Sequence, residues 1–547
     1  MINKLLPARH QRLIVGSFFG LLVLLGLLLH RDYGVSADEA NNHLNGLVSA
    51  KYLAQLVAPE LVARQASSHL IPDIRTFADA DHGVAFELPL ALLSFVFTHG
   101  NSQAFYHLRH FCVFLVFLVG VWALYRLATL RWRDWRLGLV SAGLLVLSPR
   151  FFAESFYNGK DIVYMALFTL AMYTLTRLLQ RPTVGRVLVH GLATALAVDV
   201  RVQGLLLVLM SGLLLGLEAY YRPRVERHTQ GWVSAAALYV VAALGLTVLG
   251  WPYLWALSWD ELLAATQRIS QYPWRGSVLY LGHAYRVPTE HLPWHYIPVW
   301  IVVTTPVTYT LAAAGGLFLI ARRLLGQWPG YFRTAEHRFD LLLLLWLFVP
   351  LFLVMALNSV VYNGWRHLYF VYPAFILLAI GGLRHIYFLT QHHSKVLALT
   401  ATLVLVATGL EVAYTGMRMV KAHPHQYVYF SFLPPTTAER LFELDYWGLS
   451  YRQGLDWVLA HDASTQITFS GNPGYLNNNM LILPPSQRAR LHYIPSSIPE
   501  TPTKARYFLT AYHYYGARPK TYPDSLGREV YTIRADGLRI FSVFKRW

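Results

Sequence analysis

Two adjacent carboxylates, Asp38 and Glu39, follow the first long apolar segment of the chain, in the stretch VSADEANNHLNG. In a site of low dielectric constant the pKa of a carboxylate can be tuned so that it serves as a general base. The alternative is a solvated pair of acids beside a membrane, which would need no chemistry. The pair lies near His43 in a long acidic loop, and this position favours a catalytic role.

Basic residues beside aromatic ones form a second group of candidates. They lie in SPRFFAESFYNGKD with Asn158, Lys160 and Asp161, in AVDVRVQG with Arg201, in YNGWRH with Tyr362, Arg366 and His367, and in the connection 251–296 with Arg275, His283, Arg286 and His291. Arginine binds phosphate oxygens through paired hydrogen bonds, and aromatic rings can stack on a sugar or lie along a lipid. Helix capping, snorkelling, an aromatic belt and an Asp199–Arg201 ion pair are the structural alternatives.

Most of the acidic residues lie in one loop and the basic candidates lie in the others. An aromatic belt of interfacial anchors does not explain this separation. This arrangement suits a general base for an acceptor together with cations for an anionic donor. The sequence has no Walker loop, no GxGxxG after a strand, no HExxH and no CxxC. It therefore predicts neither a nucleotide-driven motor nor a soluble nucleotide-sugar fold, and the single Cys112 cannot form an intramolecular disulfide.

The elements that must position these residues are membrane helices. Of the 547 residues, 55% are hydrophobic and only 14% are charged, whereas a soluble protein carries about 25% charged residues. About eleven apolar segments approach the ~20 residues that span a bilayer. Disorder, a collagen-like chain and a small disulfide-bonded fold are excluded.

Positive charge marks one side of the membrane. The 46 Lys and Arg exceed the 29 Asp and Glu by 17, and the surplus gathers in alternate short connections, which predicts that these are cytoplasmic. A nucleic-acid surface would need the charges on one folded face, so we expect no nucleic-acid partner. The N-terminus is then inside, and the acidic loop 31–110 is outside, with Phe86–Phe97 as an interfacial helix.

The last part of the chain has a different pattern. Residues 421–547 contain no membrane-length segment, and strand-like stretches are predicted at Gln466–Phe469, Ala505–Ala511 and Val530–Phe544, with a hairpin turn at Asp536-Gly537. The predicted fold is a polytopic α-helical membrane protein with a transmembrane domain over 1–420. A small extracytoplasmic α/β domain covers 421–547.

Taken together, these motifs resemble the GT-C superfamily of membrane glycosyltransferases, of the bacterial protein O-mannosyltransferase and aminoarabinose transferase type (family 39-like). The resemblance rests on the acidic pair after the first span and on FELPLALLSFVF, RFFAESFYNGKD, VRVQG and YNGWRH. The tail segments HPHQYVYF, FELDYWGLSYRQG and VYTIRADGLRIFSVFKR also look like those of related bacterial membrane proteins.

The resemblance implies transfer of a sugar from a polyprenyl-phosphate carrier, outside the bacterial inner membrane, with inversion at the anomeric carbon. It implies that Asp38 is the base on the acceptor and that Glu39 orients the loop. Cations would stabilise the lipid-phosphate leaving group: Arg201, Arg366 and Lys160, helped by His367. It also implies no cofactor and no required metal.

One departure from the family and two rival functions remain open. The connection 251–296 is too short for the large inserted domain of eukaryotic protein mannosyltransferases, which leaves the acceptor open among an envelope lipid, a glycan and a protein. The alternative function is a transporter or flippase of an anionic lipid or lipid-linked sugar, and a non-catalytic envelope assembly subunit is a third. Transporters show repeated halves and midplane charges, whereas here no repeat is visible and the charges gather at one face.

Overall fold

The computed structural model describes residues 8–65, 68–221, 229–258, 261, 274–328, 330–495, 505–512 and 527–546. Within these residues eight helices are long and apolar enough to cross a membrane, or nine if one bent helix pair is a single span. The chain is thus a multi-pass membrane protein, as the sequence predicts, while the expected count of about eleven spans is not confirmed.

The helices of the first half of the chain are α1 (Ala8–Leu29), α2 (Glu39–Val57), α3 (Pro59–Arg64), α4 (Glu87–Phe97), α5 (Ser102–Trp132), α6 (Trp135–Val146), α7 (Pro149–Tyr157), α8 (Asp161–Gln180), α9 (Val184–Val200), α10 (Leu205–Tyr221), α11 (Thr229–Gly250) and α12 (Pro252–Ala256). Those of the second half are α13 (Tyr296–Thr304), α14 (Val307–Gln327), α15 (Ala335–Ala356), α16 (Tyr372–Leu389), α17 (Lys395–Ala422), α18 (Pro435–Leu441), α19 (Ser450–His461), α20 (Pro473–Met480) and α21 (Pro485–Arg488).

Prolines explain part of the difference in span count. The apolar segment 297–320, read as one span, is divided into α13 and α14 at Thr305-Pro306, where Thr305 is extended, as expected for a residue before proline. A similar break at Ser148-Pro149 bends α6 against α7 by 72°. Every residue of α7 is buried, so this helix runs inside the protein, and it leads to the turn at 158–160 just before α8.

The C-terminal region contains the predicted sheet, with one additional strand. Its strands are β3 (Ile467–Gly471), β4 (Leu491–Tyr493), β5 (Tyr507–Ala511), β6 (Arg528–Ala535) and β7 (Leu538–Lys545), in the order β4-β3-β5-β7-β6. The hairpin at Asp536-Gly537 is confirmed, because both residues have positive φ and join antiparallel strands. The short β4 and a hairpin of β1 (Gly276–Tyr280) and β2 (His283–Val287) were not predicted.

Candidate active site

The adjacent acids Asp38 and Glu39 have different surroundings. Asp38 is the last residue before α2, and its side chain is 40% exposed. One carboxylate oxygen, Oδ2, accepts a hydrogen bond of 2.7 Å from Nη1 of Arg366. Asp38 is therefore both open to a substrate and in contact with a cation.

Glu39 is fully buried and belongs to an ion network inside the protein. Its Oε1 lies 3.2 Å from Nε of Arg109 and 3.1 Å from Nε2 of His110, while Oε2 accepts from the backbone N–H of Ser36 at 2.6 Å. Arg109 also donates two hydrogen bonds, of 2.6 and 2.8 Å, to Glu87 at the start of α4. The network fixes the start of α2 against α4 and α5, so Glu39 holds the backbone that presents Asp38.

Asp161, the first residue of α8, joins the basic residues of the cluster. One of its oxygens accepts from Arg201, and the other accepts from Asn158 at 3.0 Å and lies 3.4 Å from Nη1 of Arg366. Asn158 is itself fully engaged, since its amide also donates to Glu154 and its oxygen accepts the backbone N–H of Asp161. Asp161 and Asn158 are thus buried supports that orient two arginines.

Aromatic rings hold the Arg366 guanidinium on its flat sides. Its carbon lies 4.6 Å from the centre of the Trp447 ring and 5.0 Å from that of Tyr362. The Tyr362 ring stacks in turn on Trp274 at 4.1 Å, and His367 meets it edge-on at 4.7 Å. Such packing favours arginine over lysine at this position.

Three buried nitrogen atoms of this cluster have no hydrogen-bond partner within the described part of the chain. They are Nε of Arg201, Nε of Arg366 and Nδ1 of His367. Buried polar groups are nearly always hydrogen-bonded in proteins. The geometry therefore leaves hydrogen-bonding capacity for an anion such as a phosphate.

Lys160 is a third cation beside Arg201 and Arg366, and burial lowers the pKa of its ammonium to about 8, with a further contribution from the neighbouring Arg201. Asp38, Asp161 and Asp79 act in the opposite direction. Asp79 is a neighbour that the sequence did not single out, and it accepts a hydrogen bond of 2.5 Å from Asn41 on α2. The lysine can therefore gain or lose its charge near physiological pH.

Five of the predicted residues have no described contact with this cluster: His43, Arg275, His283, Arg286 and His291. His43 packs on the ring of Phe105 at 3.8 Å, and burial, with help from Arg109, lowers the pKa of its imidazole to about 3. Arg275 is exposed just before β1. The alternative of an Asp199–Arg201 ion pair is wrong. Asp199 instead accepts the backbone N–H of Val84 at 2.9 Å, and Arg201 pairs with Asp161.

The C-terminal region contributes contacts that the sequence did not reveal. Asn479 on α20 accepts the backbone N–H of Val35 at 3.1 Å and donates to its carbonyl at 3.2 Å. Asn478 donates to the carbonyls of Ser36 and Ala37. These bonds fix the three residues before Asp38 from the far end of the sequence.

A pocket of about 380 Å³ lies between α2 and α20, next to Asp38. It is lined by Ala37, Ala40, Asn41, Leu44, Gly474, Tyr475 and Asn478. No group of three or more His, Cys, Asp or Glu residues placed to hold a metal ion occurs in the described ranges. The site thus consists of an accessible carboxylate in contact with a basic cluster, and the residue before that carboxylate, Ala37, lines a pocket.

The structure thus joins an exposed acid to a buried basic cluster in a multi-pass helical bundle. Residues 82–251 match the family model described as dolichyl-phosphate-mannose-protein mannosyltransferase. Over this segment the match agrees with the resemblance to membrane glycosyltransferases of the protein O-mannosyltransferase type. The matched segment includes Lys160, Asp161 and Arg201 but not Asp38 or Arg366.

Three solved structures are similar to the chain at low sequence identity. ArnT from Cupriavidus metallidurans in the apo state has a TM-score of 0.49 and 12% identity, and the alignment covers 97% of this chain and 98% of that one. The same protein bound to undecaprenyl phosphate has a TM-score of 0.48 and 13% identity, and the alignment covers 96% of this chain and 98% of that one. The archaeal oligosaccharyltransferase AglB from Archaeoglobus fulgidus, in complex with an inhibitory peptide and a dolichol-phosphate, has a TM-score of 0.42 and 10% identity. That alignment covers 75% of this chain and 57% of the other. No curated protein matches the chain.

Proposed function

We propose that this protein is a glycosyltransferase that moves a sugar, a hexose or pentose, from a polyprenyl-phosphate carrier to an acceptor on a cell-envelope lipid, glycan or protein. The observation that carries the proposal is the contact of 2.7 Å between the exposed carboxylate of Asp38 and Arg366. This contact places the Asp38 carboxylate, which can accept a proton, beside a basic cluster that can bind a phosphate. The family match over residues 82–251 supports the same reaction class.

Asp38 acts as the general base in this proposal. It removes the proton from the acceptor hydroxyl as the oxygen attacks the anomeric carbon of the donor, a role that needs a carboxylate within hydrogen-bond reach of the acceptor. We place the acceptor in the pocket between α2 and α20, which is lined by Ala37, the residue before Asp38. Attack opposite the leaving group inverts the configuration of the sugar.

The basic cluster stabilises the leaving group. The bond between the anomeric carbon and the phosphate oxygen breaks with its electron pair on the phosphate, so negative charge grows there during the reaction. Arg201, Arg366 and Lys160 present fixed positive charge to that oxygen, and the free nitrogen of His367 adds a polar contact. Preorganised charge of this kind is among the largest contributions to catalysis in water-excluded sites.

The proposal includes a location. The chain lies in a bacterial inner membrane, with its N-terminus in the cytoplasm and the Asp38 site outside. Residues 1–420 form the transmembrane domain with the first external loop at 31–110, and residues 421–547 form an external domain. The bonds from Asn478 and Asn479 to the segment before Asp38 support a role for this domain in the site.

The test is an Asp38→Asn variant of the full-length protein, assayed for transfer from a panel of polyprenyl-phosphate sugars. Loss of a general base lowers turnover by about 10²–10⁴-fold. Glu60→Gln is a matched control, because Glu60 is an exposed acid of the same loop. Full activity of Asp38→Asn would overturn the assignment of the base. If the unmodified protein turns over none of these donors but carries such a lipid across a bilayer, it is a transporter.

A further inference from the structure

A second basic cavity lies far from the Asp38 site, between the ends of α5, α14, α15 and α16. Its volume is about 770 Å³. Five arginines line it, two from the end of α5 and its flank, two from α14 and one from α16: Arg131, Arg133, Arg322, Arg323 and Arg384. The proposed transfer reaction makes no use of this cavity.

The cavity lies at the opposite membrane face from the candidate active site. Arg366 begins a short 3₁₀ helix, Arg366–Val371, that leads into α16, whereas Arg384 lies near the other end of α16. A helix of 18 residues is about 27 Å long. Along α5, Arg109 belongs to the network beneath Asp38, while Arg131 lines the cavity. The two sites are therefore separated by the thickness of a bilayer core.

The two carboxylates of the cavity neutralise only part of its charge. Arg131 lies 2.9 Å from Asp340 and 3.4 Å from Glu336, and Arg323 lies 3.6 Å from Asp340. The arginines of the lining thus outnumber its carboxylates. Arg322 and Arg384 have no carboxylate within 4.0 Å among the described residues, and the Arg384 guanidinium rests on the ring of Phe388 at 4.6 Å.

The remaining wall is apolar and belongs to membrane helices. Leu319, Ile320, Leu343, Leu377 and Leu378 line it together with Phe388. Above the cavity α14 and α16 touch closely, since a Cβ on Gly316 would meet the carbonyl oxygen of Leu378. A cavity lined both by arginines and by apolar side chains suits a phosphate group attached to acyl chains better than a free phosphate.

We propose that this cavity binds the phosphate headgroup of an anionic lipid from the leaflet opposite the candidate active site. Basic pockets between membrane helices bind such headgroups in other membrane proteins. Anionic lipids are enriched in the cytoplasmic leaflet. The cavity assigns Arg322 and Arg384 to the phosphate oxygens. Arg131 and Arg323 belong to the same lining and pair with Asp340.

The test measures binding of short-chain phosphatidylglycerol to the purified full-length protein in a neutral detergent, by native mass spectrometry and by titration. Phosphatidylcholine with the same chains and inorganic phosphate are the other two ligands. We expect phosphatidylglycerol to bind at least about tenfold more tightly than either, because it combines net charge with apolar chains. Equal affinity for inorganic phosphate would overturn the lipid assignment.

Variants locate the binding. Arg322→Gln with Arg384→Gln removes two charges of the cavity and is expected to weaken phosphatidylglycerol binding at least about tenfold. Arg12→Gln with Lys395→Gln removes two exposed charges outside the cavity and is expected to change little. Equal affinity in both double variants would overturn the proposal.

A third variant keeps every charge and fills the space. A Cβ on Gly381 would lie 3.9 Å from Trp132, an ordinary contact, so Gly381→Leu can extend a side chain into the cavity without a backbone clash. We expect Gly381→Leu to lose the lipid while its thermal unfolding midpoint without lipid stays near that of the unmodified protein. Retained binding in this variant would place the lipid elsewhere.

Discussion

Asp38 and Glu39 are neighbours in sequence but contact different arginines, Arg366 and Arg109 respectively. The Asp38 carboxylate is 40% exposed and the Glu39 carboxylate is 1% exposed. The start of α2 thus divides two chemically similar side chains between a solvent-accessible site and a buried ion network. The acidic pair that looks like one motif in the sequence has two separate roles.

The first prediction follows from that division. Glu39→Gln leaves Arg109 and His110 with a weakened partner in the protein interior, and breaking a buried ion pair costs about 3–5 kcal/mol of unfolding free energy. Asp38→Asn is expected to lower the unfolding midpoint much less, because the Asp38 carboxylate remains accessible to water. Thermal unfolding in detergent measures both. A Glu39→Gln protein as stable as the unmodified one would contradict the supporting role.

The second prediction concerns the phosphate-binding arginines. In the unmodified protein the planar guanidinium of Arg201 contacts Asp161, and its Nε has no partner among the described residues. Arg201→Lys keeps the positive charge but loses this guanidinium. Charge-assisted hydrogen bonds contribute about 1.5–3 kcal/mol, so KM for the donor is expected to rise by about tenfold or more. Steady-state kinetics with each substrate varied in turn measures this.

Arg275→Lys is the matched control for that variant. Arg275 is exposed and has no described contact with the cluster, so we expect its replacement to leave both KM values unchanged. An Arg201→Lys variant that raises KM for the acceptor and not for the donor would reverse the assignment.

The third prediction is a pH dependence set by Lys160. With a pKa of about 8, its ammonium is charged below that pH and neutral above it. A donor phosphodiester stays anionic, so KM for the donor is expected to rise as the pH increases from 7 to about 9. In Lys160→Arg the rise is expected to disappear, because arginine keeps its charge.

Stability is expected to move in the opposite direction over the same range. The ordinary pKa of lysine is 10.5, so between about pH 8 and 10.5 the unfolded chain holds this proton more tightly than the folded one. The stability contributed by this group therefore increases as the pH rises through 8. Thermal unfolding of Lys160→Arg against the unmodified protein isolates this contribution. A flat donor KM in the unmodified protein would contradict the role of Lys160.

Local patterns predicted much of the molecule because local forces decide it. The apolar spans, the hairpin at Asp536-Gly537 and the basic residues near helix ends all follow from short stretches of sequence. The proline at 306 that divides an apparent span was also visible in the sequence, but the length of the apolar stretch concealed its effect. Charged residues inside an apolar helix, such as Arg109, were the available signal for the buried network.

Contacts between distant parts of the chain could not be predicted in this way. Arg366 pairs with a residue 328 positions away, and Arg201 pairs with Asp161 rather than with Asp199 two residues before it. The end of α9 and the segment 366–371 before α16 meet the start of α8 only after the bundle has packed. Residue types therefore identified the members of the cluster, whereas the fold determined which member contacts which.

The last prediction tests whether the C-terminal region positions the base. Asn479 bonds to both backbone groups of Val35 and donates to Gly448 as well, so Asn479→Ala leaves several buried backbone groups unpaired, at about 1–3 kcal/mol for each unsatisfied group. A displacement of the base by about 1 Å can lower the rate about a hundredfold. We therefore expect a lower kcat in Asn479→Ala with little change in donor KM.

Asn477→Ala is the control, because Asn477 is an exposed residue of the same helix α20. Asn479→Asp restores the acceptor for the Val35 N–H but not the donors, so its kcat is expected to lie between those of Asn479→Ala and the unmodified protein. This ordering distinguishes positioning from general destabilisation, since kcat is measured below the unfolding temperature of each variant. Equal kcat values for Asn479→Ala and Asn477→Ala would show that Asp38 keeps its position without α20.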